Sequence, residues 1–190
     1  MEIFCSEYSS PAENLACDEA LLDYCEAHPE HDGFLRFWES KKIFVVLGYS
    51  KSVKEEVDEQ VCSETHTPIL RRCSGGGTVL QGPGSFNYAL IAPIHSHRLF
   101  QTITETNQFI METHRFALEQ IIGSKVTVEG HTDLTLNGMK FSGNSQRRKR
   151  SFLLFHGAFL TNFDITLIEK ILRVPQQQPA YRKGRTHARA

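Results

Sequence analysis

No stretch of the 190-residue sequence approaches the roughly 18 consecutive apolar residues of a membrane-spanning helix, so a helical integral membrane protein is excluded. Cys-x-x-Cys is also absent. The five cysteines, Cys5, Cys17, Cys25, Cys62 and Cys73, are odd in number, which argues against a disulfide framework or a zinc ribbon. The nine histidines form no His-Glu-x-x-His or other tight ligand pattern, and no metal site is expected. Met1-Glu2-Ile3-Phe4-Cys5-Ser6-Glu7 lacks the basic, apolar and small-residue layout of a secretory signal, so the expected location is cytoplasmic. Neither Gly-x-Gly-x-x-Gly nor a Gly-Lys-Ser/Thr loop occurs, which argues against the Rossmann and Walker nucleotide sites.

What is present suffices for a core: 40% of residues are apolar and 10% aromatic, and the length suits one domain over residues 1–190 with a basic tail from about 176. The net charge of −1 conceals a division at Gly138, since residues 1–138 hold 10 Lys and Arg against 20 Asp and Glu, and residues 139–190 hold 11 against 2. A basic region of this kind serves an anionic ligand, an acidic protein, nucleic acid or only solvation, and neighbouring motifs must decide.

Ser10-Pro11-Ala12-Glu13 reads as a capping box with proline at the first helical position, and apolar spacing predicts a helix over 11–27. The β-rich runs 34–39 and 43–48, separated by Ser40-Lys41-Lys42, predict a hairpin or meander. A mixed acidic helix is expected at 53–64, and strands at 68–72, 78–80 and 85–91. Thr102-Ile103-Thr104-Glu105 opens the longest helix, which Gly123 ends. Strands follow at 125–129 and around an Asn137-Gly138 hairpin turn, then at 152–160, with a last helix capped by Asp164 and ending before Pro175. Strands interleaved with three helices define an α+β fold with mixed or antiparallel sheets.

Two segments carry chemistry. In Arg71-Arg72-Cys73-Ser74-Gly75-Gly76-Gly77-Thr78-Val79, three consecutive glycines cost backbone entropy, so the loop is either a tight turn or a bare surface approached by an anion or a base. A second glycine turn, Gln81-Gly82-Pro83-Gly84, follows the short strand, with Asn87 on the next one. In Asn137-Gly138-Met139-Lys140-Phe141-Ser142-Gly143-Asn144-Ser145-Gln146, strand alternation places Lys140 and Ser142 on one face and Phe141 on the other. Lys140 is then either a fixed charge in a pocket or a snorkelling edge lysine.

The glycine segment, Asp133 and Gly138 to Gln146, in this order and spacing, resemble the lipoate-protein ligase A family of the biotin/lipoyl protein ligase superfamily. Gln178-Pro179-Ala180-Tyr181-Arg182-Lys183-Gly184-Arg185-Thr186-His187 resembles that family's C-terminal signature, and the likeness spans about residues 10–188. The resemblance implies a biotin/lipoyl protein ligase catalytic-domain-like, class II synthetase-like fold. It implies that lipoate or octanoate is activated with Mg-ATP as an acyl-adenylate and transferred to a lysine of a lipoyl carrier domain, either glycine cleavage H protein or a 2-oxoacid dehydrogenase E2 component. By the same resemblance Lys140 is catalytic. Arg71, Gly76, Gly77, Thr78, Val79, Asp133 and Lys140 contact ATP or the adenylate. Arg72, Ser74, Gly75, Gln81, Asn87, Ser142 and Gly143 bind the acyl group. The alternatives are an ATP-independent octanoyl or lipoyl transferase, and a non-catalytic acyl-nucleotide-binding module.

Departures from the family pattern are informative. Transferases of the family use a cysteine thioester, whereas no cysteine follows Cys73, leaving Cys73 or an N-terminal cysteine for that role. Gln81-Gly82 stands where ligases often have His-Asp. The accessory domain of many ligases does not fit in 190 residues, so a separate accessory subunit is a possible partner. The Gly-Arg-Gly-Arg loop of biotin ligases is missing. The run Arg147-Arg148-Lys149-Arg150 is expected to be a solvated or ligand-ordered loop rather than a nucleic-acid site, with docking of the acidic carrier domain as its functional alternative.

Overall fold

The computed structural model describes residues 1–174. Its strands are β1 (Glu2–Cys5), β2 (Phe34–Glu39), β3 (Phe44–Leu47), β4 (Ile69–Arg71), β5 (Val79–Gln81), β6 (Ser85–Pro93), β7 (Val126–Glu129), β8 (Asp133–Leu136), β9 (Met139–Arg148) and β10 (Phe152–Leu160). Its α-helices are α1 (Pro11–Ala27), α2 (Val53–Glu56), α3 (Glu59–Glu64), α4 (Ile103–Ile122) and α5 (Thr166–Ile171). Seven strands form a mixed sheet in the order β1-β2-β6-β10-β9-β8-β7, and three form a second sheet, β4-β3-β5. The α+β expectation with mixed sheets is what the chain adopts.

β2 and β3 are not a hairpin, because they belong to different sheets. All four residues Phe44-Val45-Val46-Leu47 are buried, so both faces of β3 need cover, and it becomes the middle strand between parallel β4 and antiparallel β5. The helix expected over 53–64 is two. Val57 turns extended to bridge Leu172, and Asp58 restarts the helix by accepting the Val61 N–H at 3.1 Å. Thr102 caps α4 as expected, accepting the Glu105 N–H at 3.2 Å, and Gly123 ends it at φ +69°. Ser10 occupies the N-cap of α1 without a side-chain hydrogen bond there.

The large sheet is covered by α4 on one face, where Tyr88, Ile110, Met111, Leu134 and Phe155 pack. α1 covers the other through Leu22, Cys25, Phe34, Ala89, Ile91 and Leu154, and Trp38, Phe44 and Val46 join that face to the small sheet. The far side of the small sheet packs on α3 and α5 through Leu47, Cys62, Leu80 and Ile171.

A buried polar network ties α1 to β2. Arg36 is 0% exposed and donates from Nη1 to Asp18 Oδ1 at 2.6 Å and to the Asn14 carbonyl at 2.7 Å. Its Nη2 reaches Asn14 Oδ1 at 2.8 Å and its Nε reaches Ser6 Oγ at 2.8 Å. Removing one partner of such a pair strands the other charge away from water. Asp18→Ala is therefore expected to cost about 3–5 kcal/mol, read as a lower urea midpoint. An unchanged midpoint would show that Arg36 finds other compensation.

Candidate active site

The loop from β4 to β5 crosses the end of β3. Arg72 N–H donates to the Leu47 carbonyl at 3.0 Å and Tyr49 N–H to the Ser74 carbonyl at 2.9 Å. A Cβ on Gly48 would stand 2.1 Å from the Gly76 carbonyl oxygen, so β3 must end in a bare residue for the loop to lie where it does. Arg71 Nη1 donates to the carbonyls of Gly48, Tyr49 and Lys51 at 2.8, 2.9 and 2.8 Å, shaping the turn after β3. Arg72 folds under the glycines. Its Nη2 donates to the Gly75 and Gly77 carbonyls at 2.7 and 2.8 Å, and its Nε to Ser74 Oγ at 3.1 Å. Burial pushes its pKa down to about 10, and no ion pair to a carboxylate is found for it among the described residues.

The fold itself requires only one glycine of the triplet, Gly76, at φ +87°. Gly75 and Gly77 lie outside the left-handed region, and a Cβ on either would meet nothing within 4 Å. With the Gly75 and Gly77 carbonyls turned toward Arg72, the N–H groups of Gly75, Gly76, Gly77 and Thr78 donate no hydrogen bond among the described residues. Successive unpartnered N–H groups over a half-buried cation form an anion cradle. That donor set fits nucleotide phosphates, for which Arg71, Gly76, Gly77, Thr78 and Val79 are the expected contacts. Thr78 Oγ1 is buried without a hydrogen-bond partner among the described residues.

Lys140 stands near the start of β9. Its Nζ lies 2.7 Å from Asp133 Oδ1, and the lysine retains 30% side-chain exposure. The strict alternation read from the sequence does not hold here. β8 pairs with β9 through Leu134 with Ser142 and Thr135 with Lys140, so a bulge leaves Phe141 unmatched. Lys140 consequently shares a face with Gly143, whose Cβ would stand 3.1 Å from Nζ. Ser142 turns to the α4 side, where it is buried and accepts from Asn144 Nδ2 at 3.2 Å, away from Lys140. Asn144 in turn accepts from Tyr88 Oη at 2.7 Å and donates to the Thr132 carbonyl at 2.8 Å, clamping the start of β8, and hence Asp133, to β9.

Gln81 and Asn87 lie between the two sheets. Gln81 pairs with Phe44, which packs with Trp38, and Trp38 pairs with Asn87 across β2 and β6. Gln81 Oε1, Ser85 Oγ and Trp38 Nε1 are buried there without hydrogen-bond partners among the described residues. Orphaned polar atoms on facing apolar surfaces suit an interior that opens to a ligand or water.

Arg147 and Arg148 belong to β9 rather than to a basic loop. Arg148 donates to the Phe100 and Gln101 carbonyls and to Thr106 Oγ1, tying β9 to the start of α4, and Lys149 pairs with Asp23. Both are engaged within the chain. Arg147 is exposed, its guanidinium 5.7 Å from the centre of the Tyr49 ring. The family's C-terminal signature at 178–187 lies outside the described residues.

Sequence reasoning missed Gly48, Ser145 and His156. Ser145 Oγ donates to the Gly75 carbonyl at 3.0 Å, and His156 Nε2 lies 2.6 Å from Ser74 Oγ. One signal was available for His156: it is a polar residue within the apolar run Phe152-Leu153-Leu154-Phe155 to Leu160.

The family model described as the lipoyl protein ligase A/B catalytic domain matches residues 10–189, and the chain belongs to that family. Octanoyltransferase LipM of Carboxydothermus hydrogenoformans is 30% identical over 180 residues, which cover 86% of this chain and 66% of that protein. Lipoate-protein ligase LplJ of Bacillus subtilis is 25% identical over 172 residues, covering 90% of this chain and 48% of that one. The chain thus spans under two thirds of the one and about half of the other. Among solved structures, lipoate-protein ligase A bound with ATP superposes with a TM-score of 0.80 at 22% identity, covering 97% of this chain and 74% of that one. A Thermoplasma acidophilum protein described as a putative lipoate protein ligase with bound lipoic acid gives 0.78 at 22% identity, covering 90% and 71%. These likenesses establish the fold.

Proposed function

We propose that this chain activates lipoate or octanoate with Mg-ATP and passes the acyl group to a lysine of a lipoyl carrier domain. The observation that carries the reading is the bare Gly75–Thr78 N–H cradle, held by Ser145 against the strand that presents Lys140. In the first step a carboxylate oxygen of the acid attacks the α-phosphorus and the bond to pyrophosphate breaks. In the second, a carrier lysine amine attacks the acyl carbon, the bond to AMP breaks and the amine loses a proton. Both steps gather negative charge on oxygen, and a preorganised cation stabilises it most where water is excluded. Lys140, aligned by Asp133 and given room by Gly143, supplies that charge. The glycine loop orients the phosphates, and the packed interior at Gln81 and Asn87, where buried polar atoms lack partners among the described residues, opens to take the acyl tail.

A second reading, ATP-independent transfer between carriers, is favoured by the named octanoyltransferase relative. It requires a thiolate, and Cys73 is a poor source. Its side chain packs against the α1-side core, and burial pushes its pKa up to about 11, Arg147 offsetting this only in part. Cys73→Ser is expected to retain full transfer activity, measured as the rate of carrier modification. Loss of transfer, with acylation found on Cys73 in the wild type, would assign the thioester route instead.

A further similar structure, from Thermoplasma acidophilum, is described as a bi-partite lipoate protein ligase and its E2 lipoyl domain. A carrier domain as acceptor and a separate accessory subunit as helper therefore belong to this proposal. Among the described residues no helix is long and apolar enough to cross a membrane. Acid-dependent release of pyrophosphate from Mg-ATP, followed with apo carrier present, tests the activation step. Carrier modification without pyrophosphate release would overturn it.

A further inference from the structure

The glycine loop rests on one cross-strand pair. Ser145 of β9 faces His156 of β10. Ser145 Oγ donates to the Gly75 carbonyl at 3.0 Å, and His156 Nε2 lies 2.6 Å from Ser74 Oγ, so adjacent loop residues are tied to adjacent strands. Behind His156, Nδ1 lies 3.4 Å from Asp18 Oδ2, and Asp18 Oδ1 is held by Arg36 at 2.6 Å. A carboxylate beside Nδ1 places the neutral ring's proton there, leaving Nε2 to accept the Ser74 hydroxyl proton. Ser74 Oγ is then free to accept from Arg72 Nε at 3.1 Å. Every polar group of the array has a directed partner, from β2 through α1 and β10 to the loop.

Serine, histidine and aspartate in this order have the connectivity of a nucleophilic triad. Ser74, however, is 0% exposed, and Asp18 is neutralised by an equally buried Arg36. No acyl donor reaches Ser74 Oγ in that position, so the array acts by placement and not by covalent chemistry.

We propose that His156 is a positioning residue that fixes Ser74, and through it the height and tilt of the Gly75–Thr78 N–H cradle over β9. The proposal deepens the ligase reading and rests on it for its functional consequence, but its physical content is a property of the protein without substrate. Tyr49 N–H, which donates to the Ser74 carbonyl at 2.9 Å, is a built-in reporter of the loop position.

The test is amide hydrogen exchange on the substrate-free full chain, comparing wild type, His156→Phe and His156→Gln. Losing the tether is expected to accelerate exchange at Tyr49 about tenfold, the scale of one hydrogen bond. Amides at the centre of β6 and β10 should keep their protection, and His156→Gln, which retains an acceptor, should restore much of the Tyr49 protection. If His156→Phe fails to fold, Ser74→Ala removes the same bond without a large buried change and carries the same expectation. Unchanged exchange at Tyr49, or equal acceleration in β6 and β10, would overturn the proposal. In kinetics on the proposed reaction, kcat/KM for the acid should fall in His156→Phe and recover in His156→Gln. If the exchange behaves as expected while no variant, wild type included, modifies a carrier, the ligase reading fails and the loop assignment stands.

Discussion

Lys140→Ala is expected to lower carrier modification by at least about 10²–10³-fold, the usual effect of removing one preorganised donor to a developing charge, while circular dichroism and the unfolding midpoint stay near wild type. The side chain is partly exposed and its ion pair with Asp133 lies at the rim of the site, so little of the core depends on it. Exposed and half-exposed pairs contribute about 0–1 kcal/mol to stability. Lys140→Arg should not rescue. The ammonium fits beside Gly143, where a Cβ would already stand 3.1 Å from Nζ, whereas a planar guanidinium needs more width. Wild-type turnover by Lys140→Ala would sink the assignment of this site.

A second large effect is expected from a residue that carries no side chain. Gly48→Ala introduces a Cβ at 2.1 Å from the Gly76 carbonyl oxygen and 3.3 Å from that of Gly75. Both neighbours are backbone, so no side-chain rotation relieves the clash, and the loop must lift from the end of β3. A displacement of about 1 Å in a positioning element commonly costs about 10²-fold in rate. We therefore expect kcat/KM for carrier modification to fall by about that factor. A loop already mobile in the wild type would absorb the methyl, and an unchanged rate would show that its position does not control turnover. Gly75 is the informative contrast: an added Cβ there meets nothing within 4 Å, so Gly75→Ala should leave the loop where it is, and any loss of activity would report on what approaches from outside.

Much of the fold was legible because its signals are local. The Thr102 to Glu105 box and Gly123 bracket α4, and Asn137-Gly138 marks the β8–β9 hairpin through positive φ at both residues. What failed was non-local. Ser40-Lys41-Lys42 looks like a turn between paired strands, yet the continuous burial of Phe44 to Leu47 places β3 at the centre of another sheet. The four residues of β1 have no alternating pattern to announce them and are identified only by parallel pairing with β2.

In the site, the two segments that carry chemistry could be read in sequence, but how they meet could not. A one-residue bulge at Phe141 reverses which face Lys140 occupies, and no residue type signals it. Ser145 and His156 act because β9 and β10 pair in one register, and Gly48 because a distant carbonyl lies over it. Arg148 looked like a docking charge and is instead satisfied by carbonyls at the start of α4.

The most direct test of the account is intact-mass analysis of an apo lipoyl carrier domain incubated with this protein and one of three donors: free octanoate or lipoate with Mg-ATP, preformed octanoyl-adenylate, or octanoyl-loaded acyl carrier without ATP. The account predicts a gain of one acyl group per carrier from the adenylate, abolished in Lys140→Ala and matched by free acid with Mg-ATP once any accessory subunit is supplied. No gain from the adenylate, together with a gain from the octanoyl-loaded carrier alone, would contradict it.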